Sequence, residues 1–259
     1  MKFTFPILFL LLLISPKGTV AQEFPELQRI LRNGNLAKLN AYVLTNKEIY
    51  QHDFTDNNIY WRLFREISPG YYEGTLQIFY CVPYSDWRHK VHPYRIQVLI
   101  KDSLIFYYSM KSLDTTNRYQ HSTDSSVNKV AFENLQHAYA KFYGVPLNFS
   151  YLFIDSLNYG NSCRPGQEAV EFRQMNQYVA ARNQKALVQW LRTGNTELQL
   201  FAVQGLRRLN TKNIPISSEV QRIIDFVLAK KGNANICMEG VERRVRIQRL
   251  ASEMPQDGG

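Results

Sequence analysis

The stretch RIQVLIKDSLIFYYSM, residues 95–110, decides the fold class of this chain. Apolar side chains recur at every second position in both halves of the stretch: Ile96, Val98 and Ile100, then Leu104, Phe106, Tyr108 and Met110. A period of two among β-branched and aromatic residues is typical of β-strands. Asp102-Ser103 is short enough to form a tight turn between the halves. The stretch therefore predicts a pair of antiparallel strands.

The strand pattern extends towards the N-terminus, and helical patterns flank it. TLQIFYCV, residues 75–82, alternates in the same way and predicts a third strand. Apolar residues at helical spacing predict two short helices within residues 24–46, separated by Gly34, and a longer helix within residues 127–144. We interpret the polar residues 115–126 as a loop. The sequence thus predicts an α+β fold, a small antiparallel β-meander packed with helices.

From Glu168 onwards the sequence is helical almost throughout. Four apolar stripes at helical spacing predict four amphipathic helices: Phe172, Met175 and Val179; Leu187, Trp190 and Leu191; Leu198, Ala202, Leu206 and Leu209; Val220, Ile223, Ile224, Val227 and Leu228. Capping boxes that begin at Thr196 and Ser218 predict the starts of the third and fourth helices. Lys230-Lys231-Gly232 predicts the end of the fourth, with cations in the last turn before a glycine.

Within this region ALVQWLRTGNTELQLFAVQGLRRLN, residues 186–210, resembles a HEAT-type helical repeat. The overall layout is similar to that of small exported bacterial proteins of uncharacterised function that end in a helical array closed by cysteines. These resemblances imply a C-terminal α-helical, HEAT-like array after the α+β part, and they imply no catalytic residues. Helical arrays present extended concave surfaces to partners.

The N-terminus has the composition of a secretory signal peptide. Met1-Lys2 supplies positive charge, FPILFLLLLIS at residues 5–15 supplies an apolar segment, and Ala21 ends a run suited to cleavage. The apolar segment is shorter than the roughly 20 residues of a transmembrane helix, and no other segment is long and apolar enough to span a membrane. We therefore expect removal of residues 1–21 and a secreted or periplasmic mature protein without a transmembrane segment.

The placement of the three cysteines bears on the architecture. Cys163 precedes the first helix of the array and Cys237 follows the last, 74 positions later. In an oxidising compartment a disulfide is the leading interpretation, and a loop of that size corresponds to about 4 kcal/mol of stabilisation. Pairing of either residue with Cys81 is the alternative. An unpaired Cys81 would be a buried structural thiol or a reactive, intermolecular one.

These observations divide the chain into four predicted parts: a signal peptide (1–21), an α+β domain (22–160), a disulfide-clipped helical array (161–240) and a basic, partly flexible tail (241–259). The tail includes the basic run VERRVRIQRL, which contains Arg243, Arg244, Arg246 and Arg249. We interpret this run as a solvated terminal segment, with a patch for an anionic surface or partner as the alternative.

Functional side chains are densest in YCVPYSDWRHKVHPYR, residues 80–95, which we interpret as a loop between two strands. Asp86, His89 and His92 offer one carboxylate and two imidazoles, a set that suits a zinc ion in a hydrolase. Their spacing matches no strong metal-binding motif, and the neighbouring cationic side chains oppose a metal ion. These three residues are therefore weak catalytic candidates.

A carbohydrate-binding protein is a second interpretation of the same segment. The rings of Tyr84, Trp87 and Tyr94 suit the apolar face of a sugar, and Arg88 can donate hydrogen bonds to its hydroxyl groups. The simpler alternative is that the aromatic residues cover one end of the sheet while the charged residues face water.

The rest of the sequence argues against several classes of function. It contains neither a nucleophile elbow nor a phosphate-binding glycine loop, and no nucleic-acid recognition motif. We therefore expect no cofactor and no nucleic-acid partner. The net charge of +9, which loss of Lys2 and Lys17 would lower, favours an acidic partner. Our leading hypothesis is an exported, non-enzymatic module that binds a protein or envelope component.

Overall fold

The computed structural model describes residues 24–45, 58–85, 88–113, 119–164, 167–238 and 240–253. These residues form a five-stranded antiparallel sheet with helices, so the predicted α+β class is confirmed. The strands follow one another across the sheet in chain order: β1 (Asn58–Ser68), β2 (Tyr71–Ser85), β3 (Arg88–Lys101), β4 (Leu104–Leu113) and β5 (Tyr119–Val127).

The hairpin predicted from residues 95–110 is formed by β3 and β4. Asp102 and Ser103 form its turn, and both have positive φ values, 49° and 68°. This backbone is that of a two-residue turn whose twist matches the twist of the flanking strands. The predicted antiparallel pair is therefore confirmed.

A β-bulge in β4 changes which of its residues face each side of the sheet. Leu99 pairs with Tyr107 and Ile100 pairs with Ile105, so Phe106 is the extra residue. Because a bulge interrupts the alternation of side chains, Phe106 packs in a different core cluster from Ile105 and the later buried residues of β4. The single apolar face predicted for this strand is therefore wrong.

Two segments interpreted as loops are strands instead. Residues 80–85 and 88–95 extend β2 and β3 into one long hairpin, and residues 119–127 form β5. β5 lies at the edge of the sheet, where polar residues are common, so its composition did not indicate a strand. Backbone pairing with β4 makes it one.

Helices cover both faces of the sheet. On one face α1 (Pro25–Arg32) and α2 (Leu36–Thr45) bury their apolar residues against the sheet, as predicted for two short N-terminal helices. On the other face lies α3 (Lys129–Tyr143), the predicted longer helix. Tyr139 and Tyr143 of α3 also enter the core of the C-terminal helices, so α3 connects the two halves of the molecule.

Four helices of the C-terminal half match the predicted stripes. The four predicted stripes correspond to α4 (Val170–Ala180), α5 (Gln184–Leu191), α6 (Thr196–Asn210) and α7 (Ser218–Ala229), and a fifth helix, α8 (Ile247–Glu253), was not predicted. The side chains of Asn195 and Ser217 cap α6 and α7, one residue before the predicted caps Thr196 and Ser218. α6 is buried on most of its surface and lies at the centre of this core.

The predicted disulfide between Cys163 and Cys237 is present, with the two Cα atoms 5.0 Å apart. It joins β6 (Ser162–Arg164), which pairs with β7 (Gln167–Glu168), to β8 (Asn233–Met238). The bond therefore ties the segment that leads into α4 to the strand that follows α7.

The segment predicted as a partly flexible tail is largely ordered structure. Residues 241–246 form β9 (Val241–Arg246), which pairs with β8, and α8 follows it. Ile247 and Leu250 of α8 are buried in the C-terminal core. The sequence analysis predicted neither element: α8 was missed because the many arginines concealed two apolar residues at helical spacing, and β9 forms through its pairing with β8.

A buried ion-pair network joins the sheet to the helical array. Arg65 of β1 donates from Nε to Glu73 of β2 at 2.7 Å and from Nη1 to Glu197 of α6. All three side chains are fully buried. Glu73 also accepts a hydrogen bond from the backbone of Phe153, and Glu197 accepts one from Asn235. The network therefore crosses the predicted domain boundary near residue 160.

Lys230 lies beside this network and is also fully buried. Its Nζ donates to Oε1 of Gln199 at 2.6 Å. Burial, and next the positive charge of Arg65, lower the pKa of Lys230 to about 7. The prediction that Lys230 is a cation in the last turn of a helix is wrong, because α7 ends at Ala229 and tertiary contacts remove the Lys230 side chain from water.

None of the helices in the described ranges is both long enough and apolar enough to cross a membrane.

Candidate functional site

The residues chosen from the sequence are only partly described. Asp86 and Trp87 lie outside the described residues. Tyr84 lies in β2, and Arg88 and His89 lie in β3, but their side chains are outside the described part of the structure. What the structure does establish is that this segment is a hairpin of two paired strands and not a loop.

Tyr94 is a core residue. Its side chain is 4% exposed, and its ring meets the ring of Phe24 edge to face at 5.4 Å. It therefore cannot stack on a sugar from solvent, which corrects its choice as a ligand-binding residue.

His92 is half-buried in β3 and pairs through its backbone with Tyr80. Among the described residues, no group of three His, Cys, Asp or Glu side chains is placed to hold a metal ion. Because Asp86 and the side chain of His89 lie outside that set, the metal-dependent hydrolase stays a prediction. The carbohydrate interpretation now depends on Tyr84, Trp87 and Arg88 and stays a prediction as well.

A different group of side chains comes together where the sheet meets the C-terminal half. Asp155, in the segment that leads from α3 to β6, forms ion pairs with two arginines. Nε of Arg62 lies 2.6 Å from its Oδ2, and the guanidinium group of Arg95 lies 3.4 to 3.5 Å from its two oxygens. The Asp155 side chain is 7% exposed, whereas that of Arg62 is 42% exposed.

A third arginine reaches the same place from β9. Arg244 donates from Nη1 to the backbone oxygen of Trp61, and its guanidinium carbon lies 5.8 Å from the centre of the Tyr60 ring. Tyr60 stacks on Phe79 at 6.4 Å. We call Tyr60, Arg62, Arg95, Asp155 and Arg244 the arginine cluster.

Local backbone features position these side chains. Arg62 is the extra residue of a β-bulge in β1, because Trp61 pairs with Leu76 and Leu63 with Thr75. A bulge redirects its side chain relative to the regular alternation.

The other members come from elements that are distant in the chain. Arg95 lies opposite Gln77 in the sheet. The backbone oxygen of Asp155 accepts from the side chain of Asn235 in β8, which holds the segment against the C-terminal hairpin. Arg244 is carried by β9.

The electrostatics of the arginine cluster favour an added negative charge. Arg62 and Arg95 both pair with the carboxylate of Asp155, and Arg244 lies against the neighbouring Tyr60 and Trp61. Burial is the main cause that lowers the pKa of Arg95; Asp155 opposes this effect, and the positive charge of Arg62 adds to it. The planar fork of a guanidinium group suits carboxylates and phosphates, and Arg62 and Arg244 are the exposed members of the cluster that such an anion can reach.

Sequence reasoning identified only part of this cluster. Arg244 belongs to the basic run whose alternative interpretation is a patch for an anionic surface or partner. Arg95 is the last residue of the segment 80–95, where functional side chains are densest. Arg62 and Asp155 belong to no motif. No local signal could have joined them, because four separate segments bring the residues together.

No protein family, curated protein or solved structure matches this chain. The resemblance of residues 186–210 to a HEAT-type repeat therefore stays a prediction, and the function must be argued from the residues themselves.

Proposed function

We propose that this protein is a non-enzymatic binding module that holds an acidic segment of a partner protein or envelope component at the arginine cluster. The observation that carries the proposal is that Arg62 and Arg95 share one carboxylate, Asp155, while Arg244 lies against Tyr60 and Trp61 beside them. The cluster supplies hydrogen-bond donors, positive charge and an aromatic face, which are the elements of anion recognition.

Energetics support binding at this site more than at isolated surface arginines. The Asp155 and Arg95 side chains are mostly buried, Arg62 is paired with Asp155, and Arg244 donates to the backbone oxygen of Trp61, so the donors are held in place before a ligand arrives. An acidic side chain that reaches Arg62 or Arg244 gains charge-assisted hydrogen bonds while few side chains lose freedom. Long-range attraction between the positive chain and an acidic partner adds to the association rate.

The test uses a fluorescein-labelled hexaglutamate peptide and fluorescence anisotropy at low ionic strength. We expect wild-type protein to bind the peptide and added salt to weaken the interaction. The double variant Arg62→Gln/Arg244→Gln should bind at least about tenfold more weakly, because each lost charge-assisted hydrogen bond contributes on the order of 1.5 kcal/mol or more.

A matched variant distinguishes binding at the arginine cluster from attraction by the net charge of the protein. Lys141→Gln/Lys212→Gln removes the same amount of charge from two exposed positions outside the cluster. It should bind the peptide with nearly wild-type affinity. If both variants lost the same amount of affinity for the peptide, net charge alone would explain the binding, and the proposal would be wrong.

We also propose that residues 1–21 act as a signal peptide, so that the mature protein is secreted or periplasmic. The disulfide between Cys163 and Cys237 supports this proposal, because such bonds persist mainly in oxidising compartments. N-terminal sequencing of protein from an expressing host should find Gln22 as the first residue of exported material. Retention of Met1 in all of the protein would contradict export by this route.

A further inference from the structure

The hairpin β8–β9 has one edge paired and one edge open. Tyr159 pairs with the outer side of β8: its N–H donates to the oxygen of Asn235 at 2.8 Å, and its oxygen accepts from Cys237. The N–H and C=O groups of Asn235 and Cys237 therefore point away from β9. Because N–H and C=O groups alternate along a strand, the even-numbered residues of β8 bond to β9.

The same alternation decides which groups of β9 face outwards. Ile236 pairs with Arg243 and Ala234 pairs with Val245, so these residues of β9 bond to β8. The N–H and C=O groups of Glu242 and Arg244, and the N–H of Arg246, must then point to the other side of β9; the C=O of Arg246 accepts the first hydrogen bond of α8. Within the described ranges, no backbone group pairs with that side. Glu242, Arg244 and Arg246 are all exposed.

The open edge of β9 adjoins the arginine cluster. Arg244 belongs both to the cluster and to the open edge, and Arg246 adds another exposed guanidinium group two residues further along. Unpaired groups on a strand edge can accept a further strand, a recognised mode of peptide binding. Here the strand edge and the anion-binding side chains lie at one place.

We propose that the acidic partner segment binds in an extended conformation and adds a strand to the open edge of β9. This inference rests on the proposed function, because the arginine cluster selects the acidic side chains. Main-chain hydrogen bonds to Glu242, Arg244 and Arg246 hold the segment, and its acidic side chains pair with Arg62, Arg244 and Arg246.

The charges on β9 also explain why a second copy of this chain is a poor occupant. Charged side chains on an edge strand commonly prevent association with other strands, because like charges would be brought together. Two β9 strands would bring arginines of both copies together. An acidic strand removes this repulsion, so the same side chains discourage self-association and select a partner.

The first measurement is amide hydrogen exchange by NMR, with unlabelled hexaglutamate at saturating concentration. The N–H groups of Glu242, Arg244 and Arg246 should exchange at least about tenfold more slowly when the peptide is bound. The amides of Arg243 and Val245 are the internal control, because they already bond to β8 and should change little.

The second measurement uses hexaglutamate that is N-methylated at every residue. This peptide keeps the charges of hexaglutamate and loses the N–H donors that a strand needs, so its affinity should be at least about tenfold lower. Strand addition is wrong if the bound peptide protects none of the alternate amides of β9 and if the methylated peptide binds equally well. The proposed function still stands in that case, provided that binding of hexaglutamate depends on Arg62 and Arg244. If hexaglutamate does not bind at all, both are wrong.

Discussion

Replacement of Lys230 by methionine should remove a pH dependence of the folding stability. The Lys230 amine is fully buried against Gln199, and the charged groups around it are Arg65 and Glu66 of β1, Glu73 of β2 and Glu197 of α6. Burial is the largest cause that lowers its pKa to about 7, from a value of 10.5 when the side chain is free in water.

The sign of the effect follows from proton binding. Between pH 7 and 10.5 the unfolded chain keeps the Lys230 proton while the folded chain releases it. The free energy of unfolding therefore rises with pH in this window, by up to about 1.4 kcal/mol per pH unit. From pH 7 to pH 9 the gain from this group is about 2 kcal/mol. Below pH 7 both states bind the proton, and Lys230 contributes no further change.

The assay is urea denaturation followed by circular dichroism at pH 7 and pH 9. Both proteins carry Cys81→Ser, so that a free thiol cannot exchange with the disulfide at high pH. Groups that titrate in both proteins cancel when the Lys230→Met protein is compared with its parent. We expect the parent to gain about 2 kcal/mol more than the Lys230→Met protein. An equal gain in the two proteins would refute a neutral, buried amine at residue 230.

Two further predictions concern the connection between the halves of the molecule. Arg65→Met should lower the free energy of unfolding by about 3–5 kcal/mol, because Glu73 and Glu197 would lose the buried guanidinium group that both of them bind; denaturation at pH 7 measures this. The double variant Cys163→Ser/Cys237→Ser should lose about 4 kcal/mol, as expected for partners 74 positions apart, and a loss below 1 kcal/mol by the same method would contradict that reasoning.

Much of the fold could be predicted because its causes are local. The alternation around Asp102-Ser103 indicated the β3–β4 hairpin, and the stripes of the C-terminal half indicated α4 to α7. The errors arose where the local pattern and the tertiary context disagree. β5 is a strand through its pairing with β4, although its residues are polar, and Phe106 changes sides because of a bulge.

The arginine cluster could not be predicted, and the reason is its chain topology. Arg62 and Arg95 belong to strands of the sheet, Asp155 to a connecting segment, and Arg244 to the last hairpin. Arg62 and Asp155 have no neighbours in sequence that suggest a site. The one local signal was the basic run that contains Arg244, and without its partners that run resembled an unstructured tail.

The sequence by itself determined the central hairpin and the helices α1 to α7, because periodicity and caps are properties of short stretches, and it favoured the disulfide between Cys163 and Cys237 over pairing with Cys81. Only the tertiary structure decided the charge states and partners of the polar residues. Arg65 and Glu197 are 132 positions apart, yet they form one buried ion pair between the sheet and α6. Burial and long-range contact set the behaviour of Lys230 and the arginine cluster, and both arise only when distant segments pack together.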